Sequence, residues 1–117
     1  MQNDTPDWLT EIDHTGDIGL QIRASSLEAL YARAAVGMFR VLTDIDAVQG
    51  RASTAVEVTA PDREALMVRW LSELNFIHTT QHWLFCRFDV ALTPGDEGDL
   101  RLQATGHGER IDRARHT

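Results

Sequence analysis

The sequence predicts an α+β fold in which two helices pack on a largely antiparallel or mixed β-sheet. Three observations lead there. Ile18, Leu20, Ile22 and Ala24 alternate with Gly19, Gln21 and Arg23, the period of a half-buried strand. Apolar residues then recur at helical spacing in two separate stretches, one around Leu27 to Leu42 and one around Leu66 to Ile77. Two further strand patterns close the chain, joined by a segment crowded with Pro, Gly and Asp.

The elements follow in order. A strand is expected over 18–24. Ser25 with Glu28 fits a capping box, in which each side chain satisfies an orphan amide of the first helical turn. The helix is expected over 26–42, with Leu27, Leu30, Tyr31, Ala34, Met38, Val41 and Leu42 as its apolar face. The Gln49-Gly50-Arg51-Ala52-Ser53 stretch reads as a break. Thr54, Val56, Val58 and Ala60 make a short strand. Pro61-Asp62 opens the second helix, since proline is favoured near a helix start. Its face is Leu66, Trp70, Leu71, Leu74 and Ile77, and it should end near His78-Thr79-Thr80. Trp83 to Leu92 is rich in aromatic and β-branched residues and reads as a strand. Thr93 to Asp99 is a loop, and Leu100, Leu102 and Ala104 alternate as the hairpin partner.

Length and charge bound the function. The 117 residues fit a single domain over 1–117, with 1–8 and 113–117 as frayed ends. At 43% hydrophobic and 25% charged residues, the composition excludes a disordered or collagen-like chain. No apolar run approaches the roughly 18 residues of a membrane span, and the polar start carries no signal-peptide pattern. With one cysteine, Cys86, the expected compartment is the cytoplasm. A net charge of −7 argues against strong direct binding to nucleic acid, which is driven by cations on the protein. All 11 basic residues are arginine, as a GC-rich genome or a salty cytoplasm would favour.

The densest chemistry lies at Asp13-His14-Thr15-Gly16-Asp17, at a turn before a strand. Clustered aspartates suit a hard cation such as Mg²⁺ or Ca²⁺, although the same residue types also make ordinary turns. The strand 18–24 runs about 23 Å away from Asp17, at about 3.3 Å per residue. The helix 26–42 returns about 25 Å, at 1.5 Å per residue. If the two pack antiparallel, Asp44 and Asp46 arrive beside Asp13 and Asp17. Four carboxylates at one end repel one another, and a bound cation relieves this. His14 is a weaker candidate for a general base. His78 and His82 read as capping or solvated residues, Cys86 as a buried thiol, and Trp70 and Trp83 as core. No nucleotide-binding loop or zinc motif is present.

Four ordered segments are similar to the archease family. Asp13-His14-Thr15-Gly16-Asp17-Ile18-Gly19 resembles its D-H-T-A-D-I-G opening. Ser26 to Leu30 with Ala34 to Phe39 resembles its first helix, and Leu42-Thr43-Asp44 its helix exit. Trp70-Leu71-Ser72-Glu73-Leu74 and Phe85-Cys86-Arg87-Phe88 resemble its W-L-x-E-L and F-x-x-F-like half. Gly106-His107-Gly108-Glu109 with Asp112, Arg115 and His116 resembles its G-x-x-x-D-x-x-R-H stretch. The similarity runs from about residue 11 to 116.

The resemblance implies a strand–helix–strand α+β domain and a role without catalysis. That role is a protein cofactor for the RtcB-type tRNA-splicing ligase, which promotes guanylylation of the ligase and repeated turnover. It also implies a divalent cation, calcium first and magnesium as the alternative, with the family's first metal-binding aspartate falling on Asp17. A chaperone-like role toward tRNA methyltransferases is the second reading, and a metal-dependent phosphoester hydrolase the third. Family members continue past the R-H with two further strands and a second metal-binding aspartate, whereas this sequence stops at His116-Thr117. The expectation is a domain lacking its C-terminal part, with Asp13 and Asp44 as secondary ligands, weak calcium binding and an open sheet edge.

Overall fold

The computed structural model describes residues 8–14, 17–22 and 26–111, and the side chains of Trp8 and of 26–111. The chain begins with a hairpin, β1 (Leu9–His14) and β2 (Asp17–Ile22), paired antiparallel with Leu9 opposite Ile22. Helix α1 (Leu27–Leu42) follows, then a short 3-10 turn at Ile45–Ala47. Next come β3 (Ala52–Ala60), α2 (Arg63–Gln81), β4 (Trp83–Pro94) and β5 (Leu100–Arg110).

The three later strands form an antiparallel sheet in the order β3-β5-β4. β3 and β4 therefore run parallel with β5 between them, and α2 is the crossover that connects them. Nineteen helical residues span about 28 Å, close to the length of β3. Helix α1 packs on β4 and α2 packs on β3. One core lies between the helices and the sheet. Tyr31, Ala35 and Phe39 of α1 and Leu66, Trp70 and Leu74 of α2 meet Val56, Phe85, Phe88, Leu102 and Ala104. Phe39 packs edge-on against Phe85 with ring centroids 5.4 Å apart.

The α+β class holds, with two helices over an antiparallel sheet, and several details differ from expectation. Ser26, not Ser25, caps α1: its hydroxyl accepts from the Ala29 amide at 3.1 Å. The buried face of α1 is Tyr31, Ala34, Ala35, Gly37 and Phe39, whereas Val41 and Leu42 are exposed by 50% and 40%. Val41 lies about 200° around the helix from the fully buried Phe39 and so faces outward, and Leu42 is the final helical residue. Strand β1 does not appear in the sequence reading, and β2 starts one residue earlier, at Asp17. β3 takes in Ala52 and Ser53, which read as part of a break. In contrast, α2 buries Leu66, Trp70, Leu74 and Ile77 as its spacing requires, after Asp62 caps it through the Ala65 amide at 2.8 Å. His82 ends α2 in the left-handed conformation at φ 60°, as a C-terminal cap does.

Two glycines of β5 are dictated by close approach. A Cβ on Gly108 would collide with the Leu84 carbonyl oxygen, and one on Gly106 would sit 2.7 Å from the Phe85 ring. At the same place β4 carries an irregularity between Phe85 and Arg87. Cys86 is the extra residue there, and bulges of this kind re-aim a strand's side chains. Of the expected frayed stretch 1–8, Trp8 is described, and its ring lies 5.3 Å from the Arg33 guanidinium carbon.

Candidate functional site

Register places the opening motif at the closed end of the first hairpin. His14 is directly opposite Asp17, and Asp13 is opposite Ile18. The side chains of Asp13, His14 and Asp17 lie outside the described residues, as do Thr15 and Gly16. The expected meeting of Asp17 with Asp44 therefore also lies outside them. At the backbone level, α1 packs against β2.

Asp44 is described, and it has a local task. It follows Thr43, the C-terminal cap of α1, whose amide donates to the Phe39 carbonyl at 3.0 Å. Asp44 caps the 3-10 turn, its Oδ1 accepting from the Asp46 amide at 3.3 Å. Arg40, Thr43, Asp44, Ile45 and Asp46 line a cavity of about 130 Å³. The last carbonyls of α1 and two carboxylates make this end negative, which favours a cation. Arg40 supplies one positive charge to it. One Asp44 oxygen is engaged by the turn, and carboxylate oxygens are the donors a hard divalent cation prefers. Among the described residues, no group of three or more His, Cys, Asp or Glu converges on one point.

A second feature emerges from the structure. Glu109, near the end of β5, is the one buried charged residue among those described, at 7% exposure. Its Oε2 accepts from the Gln49 amide at 2.5 Å, across 60 residues of sequence. Gln49 lies just after the 3-10 turn, next to the buried Val48. Glu109 thus ties the central strand to the segment leaving α1. No sequence period reveals such a contact: Glu109 is out of step with the inward-facing Leu102, Ala104, Gly106 and Gly108, so the alternation alone places it outward.

The remaining candidates resolve into structural roles. His78 Nδ1 lies 2.8 Å from the Trp83 carbonyl, bracing the tight α2–β4 junction. Trp70 and Trp83 are core residues. The Cys86 thiol is half-buried and donates to the His107 carbonyl at 3.5 Å. The His107 ring turns instead to Asp89, with Nε2 and Oδ2 2.7 Å apart. Burial pushes the Cys86 thiol up, an effect that the nearby Arg87 guanidinium partly offsets. A protonated thiol whose neighbouring histidine turns its ring to a carboxylate is a poor nucleophile. No helix among the described residues is long and apolar enough to cross a membrane.

Comparison with known proteins gives the same answer at several levels. The model of the Archease protein family (MTH1598/TM1083) matches residues 10–117. Protein archease of Methanothermobacter thermautotrophicus is 40% identical over 99 residues, which cover 85% of this chain and 70% of that protein. Protein archease of Pyrococcus abyssi is 32% identical over 104 residues, 89% of this chain and 72% of the relative. The solution structure of Methanobacterium thermoautotrophicum protein 1598 superposes with a TM-score of 0.79 at 33% identity, covering 91% of this chain and 75% of the other. This chain belongs to the archease family.

Proposed function

We propose that this protein is a non-catalytic accessory factor that activates an RtcB-type tRNA-splicing RNA ligase. The observation that carries this reading is the family match over 10–117. The acidic balance of −7 supports it. A ligase that grips RNA presents basic surface, and opposite charge speeds and orients docking. Asp17 is the primary residue offered to a divalent cation, calcium before magnesium, with Asp13 and Asp44 as secondary donors. Bound there, the ion supplies positive charge able to organise nucleotide phosphates. The chain's own contribution is positional: Thr43, Asp44 and the 3-10 turn hold the exit of α1 in one shape. Location in the cytoplasm, beside the ligase, belongs to the same reading.

The test is the rate of GMP transfer to the purified ligase, with and without this protein. Acceleration supports the reading. An unchanged rate, with the Methanothermobacter relative accelerating the same ligase, refutes it. Capture of a tRNA methyltransferase without the ligase would favour the chaperone-like alternative instead.

A further inference from the structure

Among the described residues, the sheet has an open edge, and the helix beside that edge has an apolar face turned outward. In the described order β3-β5-β4, strand β3 pairs only with β5. The Arg69 guanidinium reaches from α2 and donates to the Thr59 carbonyl at 2.6 Å. A β3 carbonyl that takes its partner from a side chain outside the ladder marks the open side. On α2, Val68 and Phe76 are exposed by 66% and 55%, with Ser72 midway between them. Phe76, Ser72, Arg69 and Glu73 line a groove of about 390 Å³ with Val58 and Thr59 of β3.

We propose that this face is covered by a second copy of the chain, joined antiparallel along β3 and along α2 about one two-fold axis. The argument is self-complementarity in both layers at the same height. Val56 is the middle of Ala52–Ala60, and Ser72 is the middle of Arg63–Gln81. From the strand's end back to Val56 is about 13 Å at about 3.3 Å per residue. From the start of α2 forward to Ser72 is about 13.5 Å at 1.5 Å per residue. The two midpoints therefore stack, and one axis perpendicular to the sheet serves both layers.

About that axis, β3 meets β3 and completes a continuous sheet, while α2 lies beside its symmetry mate. Val68 then faces Phe76 of the second copy across the small Ser72, and Arg69 comes near the second copy's Glu73. Ala55 falls opposite Glu57 of the second copy. Both features left uncovered by the described residues are covered at once, and charges of opposite sign meet. A strip about 30 Å long and about 20 Å deep buries about 1,200 Å² in total, the low end for a specific interface. A reversible dimer with a micromolar constant is the expected result. Because each copy carries −7, added salt strengthens it.

Sedimentation equilibrium from about 5 to about 300 µM in moderate salt tests this, a range that brackets micromolar affinity. The wild-type chain should shift from monomer to dimer. Phe76→Glu should weaken association at least tenfold. Ala55→Glu should do the same by placing like charges opposite each other, while Ala55→Lys should strengthen it. All three positions are exposed, so circular dichroism should show unchanged folding. Ser72→Cys, in a Cys86→Ser background, should form a covalent dimer on mild oxidation. A chain that stays monomeric over the whole range, or a dimer indifferent to Phe76→Glu and to the Ala55 charge pair, overturns the proposal. Neither outcome bears on ligase activation, which is read by a separate assay.

Discussion

The indole Nε1 of Trp70 donates a 2.9 Å hydrogen bond to the main-chain carbonyl of Tyr31. In return the Tyr31 hydroxyl donates to the Arg63 carbonyl at 2.7 Å, at the start of α2. These two fully buried residues lock the helices to each other while their rings fill the core. Trp70→Phe keeps most of the apolar volume and should cost about 2 kcal/mol, from one hydrogen bond and a partial void. Tyr31→Phe should cost about 1 kcal/mol. Trp70→Ala should cost about 3–5 kcal/mol, the range for aromatic truncation in a core. Urea unfolding measures all three, and a Trp70→Phe midpoint equal to wild type would contradict the lock.

The Glu109 carboxylate holds the Gln49 amide in the same manner. Glu109→Ala should destabilise by about 1.5–3 kcal/mol, the value of a hydrogen bond to a charged group. It should also raise hydrogen exchange at Gln49 more than at the α2 amides. Glu109→Gln keeps an acceptor oxygen and should lie between. Equal exchange at Gln49 in Glu109→Ala and wild type would show that the segment leaving α1 is held by other contacts.

Alkaline pH should weaken the fold in a definite direction. Burial raises the Cys86 thiol above its ordinary 9.0 and the Tyr31 hydroxyl above its ordinary 10.0. Below pH 9 both groups are protonated in the folded and unfolded chains, and neither affects stability. Above it the unfolded thiol ionises first, so stability falls as pH rises until the folded thiol ionises too. The tyrosine repeats this about one unit higher. Cys86→Ser should flatten the first part of the fall, as read by urea midpoints between about pH 8 and about pH 11. The native thiol should also react slowly with a disulfide reagent at pH 8, because little thiolate is present.

Much of this fold is legible in the sequence because burial there is one-sided. Leu66, Trp70, Leu74 and Ile77 can share a face only in a helix, and they do. The alternation through Leu100, Leu102 and Ala104 likewise has one solution. The end of α1 is not legible, because Val41 and Leu42 continue the apolar period yet are exposed, while Phe39 in the same turn is the residue that is buried. Strand β1 is short, and its Leu9 and Ile12 fall out of step with period-two alternation. The tie between Gln49 and Glu109 spans 60 residues and leaves no local trace. Asp44 shows why site reading is harder than fold reading. A carboxylate at a helix exit suits a cation and suits a turn cap equally, and the structure shows the cap.

Two substitutions separate those roles at Asp44. Asp44→Asn keeps an acceptor for the Asp46 amide and should leave stability within about 0.5 kcal/mol, whereas Asp44→Ala should lose about 1 kcal/mol with the cap. Both remove the carboxylate and should weaken any calcium response of the protein to the same degree. A calcium titration followed by calorimetry or tryptophan emission reads that response. Calcium affinity unchanged in both variants would remove Asp44 from the ligand set and leave it a cap alone.

The most direct measurement of the proposed role is ligation under multiple turnover, with substrate RNA in large excess over an RtcB-type ligase. With this protein added, product should exceed the ligase concentration many times over, and Asp17→Ala should abolish most of that gain while remaining folded. Product that stays near one equivalent per ligase, in the presence of a relative that lifts it, would contradict the proposed function. Full stimulation by Asp17→Ala would contradict the cation site.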